Sequence, residues 1–527
     1  MIQDTHNSNG KKWHCTLAHI CAAIAFIFAV CLSPVPSRAQ VTPAEGSKLN
    51  YRIIGFSFPA GVGKGVSYTI EIANGNLTDD KQFKDHVHQS VPSEKDKVII
   101  EVPSFGTQYT WRVLYKKDNA VATKSKLYHF ATGTIPPYAG DSTRLRVKAN
   151  TEKYKDGYIL VDGSNKIYDM NGAPVWYLPD TDPVQLEGDA KVSPSGTITF
   201  LAGKNAYEVS YSGKVLWDAK NKCGLNDPTI NDFVFHHEFS RLANGHYMAL
   251  LAPIVADDPL KVNTRKKFFP TMSASTLVEF DRDGNSVWSW ESSAYMQACD
   301  LHFLKERHPK LIIDLHENAF YFDEKDSVIY LSMSGVSRIV KIKYPSGKVL
   351  DEYGRKVPGI RSDDEDSADK SILKMEELLV NPLFYHQHSL SLSADGYLCV
   401  FNNNSLLPGL NPEQVQGNYP QVLALKEAGD TLAKEWDFDC KNIIKDRKLM
   451  SAGSAGGSII SLPDNSLFVS MSTPYGDVFI VDSGKHILWH GLYEKYNPEK
   501  SDWVECAKYR ASIISRKQLE QMVWSGN

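Results

Sequence analysis

The sequence has no marked excess of either charge: 58 Lys plus Arg face 62 Asp plus Glu, a formal net charge of −4. A nucleic-acid-binding chain normally carries a basic excess, so that class is set aside. Cysteine is scarce, at 8 in 527 residues, and no C-x-x-C pair is available for zinc or dithiol chemistry. Beyond the N-terminal region no apolar run approaches the roughly 20 residues that span a bilayer. The Gly-rich string at Gly61 is no phosphate loop, because Phe58 stands where the first glycine of that pattern belongs. What is present is an ordinary globular balance, 42% hydrophobic and 23% charged, which excludes a wholly disordered or fibrous chain.

The N-terminus has the layout of an export signal. Lys11 and Lys12 precede an apolar stretch from about Leu17 to Leu32, Pro34 and Pro36 break it, and Ser37-Arg38-Ala39 offers small residues at a cleavage site. The expectation is a signal peptide over residues 1–39, a periplasmic protein, and no membrane span once the signal is removed. Cys15, Cys21 and Cys31 leave with it. Cys223, Cys299, Cys399, Cys440 and Cys506 remain, too few and too widely spaced for a disulfide framework.

From 46 to 133 the chain reads as short strands separated by turn clusters. Val66-Ser67-Tyr68-Thr69-Ile70, Val98-Ile99-Ile100-Glu101-Val102 and Tyr109-Thr110-Trp111-Arg112-Val113 are rich in β-branched and aromatic residues. A small immunoglobulin- or fibronectin-like β-sandwich is expected, ending at an Ile135-Pro136-Pro137 linker.

Beyond it the chain repeats. A turn followed by a short strand ending in Trp occurs at Asn171-Gly172 with Trp176, Ser212-Gly213 with Trp217, Asp283-Gly284 with Trp288, and Ser483-Gly484 with Trp489. Looser copies lie at Ser346-Gly347, where Leu350 replaces the Trp, and at Gly429-Asp430 with Trp436. A second element, a polar turn leading into an apolar strand, precedes each: Asp156-Gly157, Ser195-Gly196, Asn244-Gly245, Asp323-Glu324, Asp395-Gly396 and Asp464-Asn465. Six units with two hairpin signals each predict an all-β six-bladed β-propeller over 138–500. Residues 501–527 are the closing segment, with a short helix expected from about Lys508 to Trp524. Insertions fall at about 257–273 and 361–370, the second with an acidic run, Asp363-Asp364-Glu365-Asp366, read as a solvated loop.

Counting back seven residues from each polar turn reaches His237, His316 and His388 in three successive units, and Gly457, Gly188 and Ala149 in the others. Equivalent positions in a propeller lie on a ring about its axis. Three imidazoles therefore converge, with small residues leaving room for a ligand. His236 adjoins His237, and residues two apart on an extended strand share a face, which sets Asn318 beside His316 and His386 beside His388. Two chemistries suit such a cluster. Three neutral imidazoles can hold zinc for a hydrolase acting on esters or lactones, with Glu238 or Glu317 nearby. Alternatively a neutral imidazole attacks an electrophilic sulfur or phosphorus centre with no metal, while Asn and cationic groups hold the transferring oxygens. A non-catalytic binding module is the third reading.

In Phe235-His236-His237-Glu238, His316-Glu317-Asn318 and Gln387-His388, with Phe401-Asn402-Asn403 following, the sequence resembles the bacterial aryl-sulfate sulfotransferases, exported six-bladed propeller enzymes. The resemblance implies ping-pong transfer of a sulfuryl group from a phenolic sulfate ester to a phenol through a sulfurylated histidine. It implies no phosphoadenosine phosphosulfate, no other cofactor, no metal, and a homodimer. His388 would be the nucleophile, His316 and Asn318 would bind the sulfuryl oxygens, and His237 would assist as acid, base or oxyanion donor, with His236 and His386 alongside. The family carries an arginine after the His-x-Asn triplet. Here Ser334 occupies that position and Arg338 lies four residues on, either as a displaced substrate-binding cation or as a surface residue.

Overall fold

The structure, a computed structural model, describes residues 41–61, 65–136, 142–179, 185–223, 233–253, 272–273, 275–295, 313–354, 383–404, 419–429, 431–445, 447, 455–471 and 473–525. The expected signal segment, the acidic run at 363–366 and nearly all of the 257–273 insertion lie outside these residues. The described residues are mostly strand, arranged in many small antiparallel sheets, as the all-β expectation requires. No helix among them is long and apolar enough to cross a membrane.

The chain divides into two compact units, and not by a single cut. One comprises Met1–Gly46, Phe56–Val98 and Thr110–His129; the other comprises Ser47–Gly55, Ile99–Tyr109 and Phe130–Asn527. In the first, strand Val66–Asn74 pairs antiparallel with Val87–Ser93, whose burial alternates residue by residue. Helix Asp80–His86 sits between them in sequence, capped by the Asp79 carboxylate accepting from the Lys81 and Gln82 amides. Its one buried residue, Phe83, joins a core with Phe56, Ile70, Ile72 and Trp111.

The second unit holds five four-stranded antiparallel sheets and a sixth antiparallel sheet of six strands. The sheet met first in the chain runs Pro174–Tyr177, Lys166–Asp169, Tyr158–Val161 and finally Ala511–Ile514, so its edge strand comes from the C-terminus. The next three begin with Gly188–Val192, Phe233–Arg241 and Glu317–Asp323, and the fifth with His388–Leu392. The sixth begins with Ser458–Ser461, and its long outer strand Ile487–Asn497 is flanked by Asp502–Glu505 and Thr143–Ala149. Asp156-Gly157 precedes the strand Tyr158–Val161 of the first sheet, whereas from the second sheet on the polar turns of the sequence repeat close the first hairpin. Gly196, Gly245 and Gly396 have φ of +78°, +87° and +80° there, a conformation glycine adopts without a Cβ penalty.

Neighbouring sheets are joined by two sets of hydrogen bonds. The inner set runs between edge strands, each of which packs on the next, with Ser458–Ser461 returning to Ala511–Ile514. Asp162 accepts from the Asp189 and Ala190 amides at 2.9 Å each, and Asp189 from the Phe239 amide at 2.7 Å. Glu317 accepts from the Ser275 amide at 3.2 Å, and Asn318 donates to the Gln387 carbonyl at 2.8 Å. Ser389 accepts from the Ile459 amide at 3.0 Å, and Ser458 donates to the Ala511 carbonyl at 2.8 Å.

The outer set explains the Trp element of the repeat. Trp176, Trp217, Trp288, Trp436 and Trp489 each donate their indole N–H to a carbonyl at the Gly-containing turn of the following sheet, on Tyr211, Arg282, Pro345, Ser483 and Met170 respectively. The Trp thus reaches the same turn type that its own strand starts from. The fourth sheet has Leu350 in place of Trp, and its link to the fifth is ionic instead. Glu427 accepts from Lys341 at 2.7 Å, Tyr353 at 2.7 Å and Tyr330 at 3.0 Å.

Trp489 is fully buried and joins the sixth sheet to the first. We expect Trp489→Ala to destabilise this unit by about 3–5 kcal/mol, the usual cost of emptying a buried aromatic site, read as a lower urea midpoint. An unchanged midpoint would contradict the closing role of this contact.

Candidate functional site

Bulges in three edge strands build the site. His236 pairs with Leu250 and then Phe239 with Ala249, so His237 and Glu238 have no opposite partner. Likewise Glu317 pairs with Met333 and Ala319 with Ser332, while His388 pairs with Phe401 and Leu390 with Val400. The bulged segments hold non-glycine residues at positive φ: His237 at +57°, His316 at +53° and Ser389 at +54°. Such conformations are uphill for residues bearing a Cβ and are held by surrounding structure.

The structure brings the three counted histidines together. The rings of His237 and His316 lie 4.8 Å apart between centroids, and those of His316 and His388 6.4 Å apart. A fourth ring closes the circuit: Tyr509 lies 6.3 Å from His388 and 5.9 Å from His237. All four contacts are edge-to-face. Sequence reasoning missed Tyr509 because the count placed Ala149 at the first unit's position. Ala149 instead pairs with His490 in the sixth sheet. The predicted helix from Lys508 begins only at Arg516, and residues 511–514 are the first sheet's edge strand, which carries Tyr509 and Arg510 into the centre. Its alternation was legible, but no polar turn or Trp tags it. The two glycines also differ. A Cβ on Gly188 would meet nothing nearer than the Tyr509 ring at 4.0 Å, whereas one on Gly457 would strike the Phe401 ring at 2.5 Å. Room exists at Gly188, while Gly457 is a close chain approach.

His388 is held in one tautomer. Its Nδ1 faces two acceptors, Asn403 Oδ1 at 2.7 Å and the His386 carbonyl at 3.2 Å. The Asn403 amide is oriented by its Nδ2 donating to the Gly456 carbonyl at 3.1 Å, so the end turned to His388 is the oxygen. Nδ1 therefore carries the proton, and Nε2 carries a lone pair with no hydrogen-bond partner among the described residues. Burial pushes the ring's pKa down to about 3; the Asn403 bond opposes this, and His316 and Arg510 add to it.

His237 is likewise held well below the ordinary histidine value, by burial first and then by His236, His316, His388 and Arg510. Its Nδ1 meets Nδ1 of His236, whose Nε2 contacts the Ser275 hydroxyl at 2.9 Å. The positive φ at His316 departs from the extended backbone on which the pairing of Asn318 with His316 was expected. The fully buried Asn318 amide donates to the Gln387 carbonyl and accepts from Ser332 at 2.8 Å. Gln387 in turn donates to Ser332 and to the Arg338 carbonyl, so this lattice braces the backbone entering His388. His386 sits at φ +48° and serves His388 through its carbonyl. Arg338 is 3% exposed, which removes the surface alternative, and its guanidinium lies 3.9 Å from Glu352.

The cation beside the histidines is Arg510. It donates to Asp189 at 2.7 Å, to Glu238, and to the Asn318 carbonyl at 2.8 Å, and Lys191 bridges the same two carboxylates. Burial works to raise Glu238, but Arg510 and Lys191 hold it below the usual carboxylate range. On the far side of this cluster lies a cavity of about 260 Å³, bordered by Ser240, Phe320, Ser391 and Ser512. Among the described residues no group of three His, Cys, Asp or Glu is placed to hold a metal ion.

The sequence profile of the arylsulfotransferase (ASST) family matches residues 119–423, more than half of the chain and including His237, His316 and His388 but not Tyr509 or Arg510. No curated protein matches the chain. Among solved structures, a protein of unknown function from Bacteroides caccae aligns with TM-score 0.37 and 13% identity, covering 68% of this chain and 98% of that one. A luciferin-regenerating enzyme aligns at 0.31 and 10%, over 70% and 95% of the two chains. Apo AztD from Citrobacter koseri aligns at 0.29 and 7%, over 85% and 98%. Likeness at this level carries no inference.

Neutral burial of His388 has a pH signature. The ring's ordinary value is 6.5 and its folded value is about 3. Between these the unfolded chain takes up a proton that the folded chain refuses, so this stability is whole above pH 6.5 and is lost as pH falls toward 3. The drop in urea midpoint between pH 7 and pH 4.5 is expected to be smaller in His388→Gln than in the parent. Equal drops would contradict a neutral buried His388.

Proposed function

The chain belongs to the arylsulfotransferase family, and from that premise we propose that it transfers a sulfuryl group from a phenolic sulfate ester to a phenol in two steps, through His388. The observation that carries this reading is the buried, unpartnered Nε2 of a histidine whose Nδ1 is anchored by Asn403. A nucleophile needs a free lone pair in a fixed direction, and the Asn403–Gly456 relay supplies that.

In the first step the Nε2 lone pair forms a bond to sulfur and the ester S–O bond breaks, releasing the donor phenolate. In the second the acceptor phenol oxygen attacks the same sulfur, the S–N bond breaks and the lone pair returns to Nε2. Overall the acceptor's proton passes to the donor phenol, so no co-reactant such as phosphoadenosine phosphosulfate enters. By analogy with phosphoryl transfer the transition state is loose, and positioning with charge stabilisation supplies most of the catalysis. His316 and His237, with ring centroids 4.8 Å apart, face the transferring group as hydrogen-bonding rings. Asn318 acts here as a positioning residue through Gln387, and His236 and His386 orient His237 and His388.

We read the six sheets as the blades of a β-propeller, which their cyclic edge packing and Trp links support. The strands of the smaller unit are read as a β-sandwich. The N-terminal signal layout supports export to the periplasm, where the substrates would be phenols and aryl sulfates.

Incubation with 4-nitrophenyl sulfate is expected to add one sulfuryl group to the intact mass, mapping to His388. His388→Ala should cut transfer to a phenol by on the order of 10³-fold or more. The parent's rate should be unchanged after chelator treatment. Full activity of His388→Ala would sink the assignment, and activity lost with chelator would favour a metal-dependent hydrolase.

A further inference from the structure

Resting on the reading above, we propose that Tyr509 and Arg510, contributed by the C-terminal closing strand, form the subsite for the tetrahedral oxyanion. They supply the donors that the chain lacks at Ser334. Three observations converge. The Tyr509 ring is one wall of the four-ring circuit, 6.3 Å from His388 and 5.9 Å from His237. The Tyr509 hydroxyl and Arg510 Nε are buried and have no hydrogen-bond partner among the described residues. Arg510 lies 5.1 Å from the centre of the Tyr509 ring.

A buried polar group without a partner costs free energy, so paired atoms are the rule and an orphan needs an explanation. Here the His388 Nε2 lone pair and the Tyr509 and Arg510 donors are all orphaned, on residues that border one another. An acceptor-rich sulfuryl group joins them: sulfur meets Nε2, and its oxygens meet the donors. Three other Arg510 N–H groups are committed to Asp189, Glu238 and the Asn318 carbonyl, which fix the guanidinium in place. The Arg338 guanidinium lies 3.9 Å from Glu352. Burial keeps the phenol protonated, and hence a donor, at every working pH.

The test is Tyr509→Phe, which removes one oxygen that has no hydrogen-bond partner among the described residues. Its urea midpoint should therefore be equal to or above the parent's, where a structural hydroxyl would lower it. Inorganic sulfate, titrated calorimetrically into the full chain, should bind the parent and bind Tyr509→Phe about tenfold more weakly, with kcat/KM for 4-nitrophenyl sulfate falling on the order of 10²-fold. Undiminished sulfate affinity in Tyr509→Phe, or a parent that binds no sulfate, overturns this inference whatever the enzyme activity. A parent that binds sulfate through Tyr509 yet transfers no sulfuryl group overturns the proposed function and leaves the subsite standing.

Discussion

A guanidinium buried among several sheets must be neutralised, because an unpaired charge taken out of water costs several kcal/mol. Arg510 meets that demand with carboxylates from two other sheets, Asp189 and Glu238, and the carbonyl of Asn318 on another. The chain can satisfy it only when its C-terminal strand has joined its first sheet and the second, third and fourth sheets are in place. Pairing of the C-terminal strand with the first sheet therefore also sets this cation among three other sheets. The same segment carries Tyr509 against His388 and His237. The balance of charge is also local: Arg510 and Lys191 against Asp189 and Glu238, with Asp162 pushed by burial up to about 7 behind them.

The edge strands accept strain to serve this centre. A regular strand would alternate its side chains, sending every second residue into a sheet interface. The bulges at His237, His316 and His388 break the alternation, turning the imidazoles toward one another while the flanking residues stay in register for the ladders. Left-handed backbone at His237 and His316 is affordable because the neighbouring residues are so tightly held. Phe239, two positions on, donates to Asp189, and Asn318, two positions on, bonds the next sheet.

This division explains what the sequence revealed. The six units were legible because each carries two tags with a physical purpose: a glycine for the hairpin turn, and a Trp whose N–H needs the next sheet's carbonyl. The histidine register was legible because the bulge recurs at a constant distance from the turn. Tyr509 and Arg510 were not, since the strand that bears them is the last in sequence but belongs to the first sheet, with no turn of the repeat beside it. The bonds of Asn318 to Gln387 and Ser332 were not legible either: two-residue alternation presumes extended backbone, and His316 is not extended. The room expected at Gly457 fails because that glycine accommodates Phe401, a contact that sequence spacing cannot see.

Burial poses a conflict for a histidine nucleophile, and the chemistry decides how much it matters. Desolvation keeps His388 unprotonated, but a less basic nitrogen is usually a weaker nucleophile. Where bond formation to the nucleophile is advanced in the transition state, the pKa of about 3 would be a serious handicap. In a loose transition state little of that bond has formed, so basicity counts for little and direction counts for much. The fold favours direction: two acceptors on Nδ1, an amide fixed by Gly456, and a fully buried Gln387 immediately before the ring. Donors that neither lose nor gain a proton complete the arrangement, since the Tyr509 phenol is raised and the Arg510 guanidinium is held charged by its carboxylates. Rings around a carboxylate-compensated cation thus fit the proposed transfer, in which an anionic group is held still and released again, better than a reaction needing a strong base.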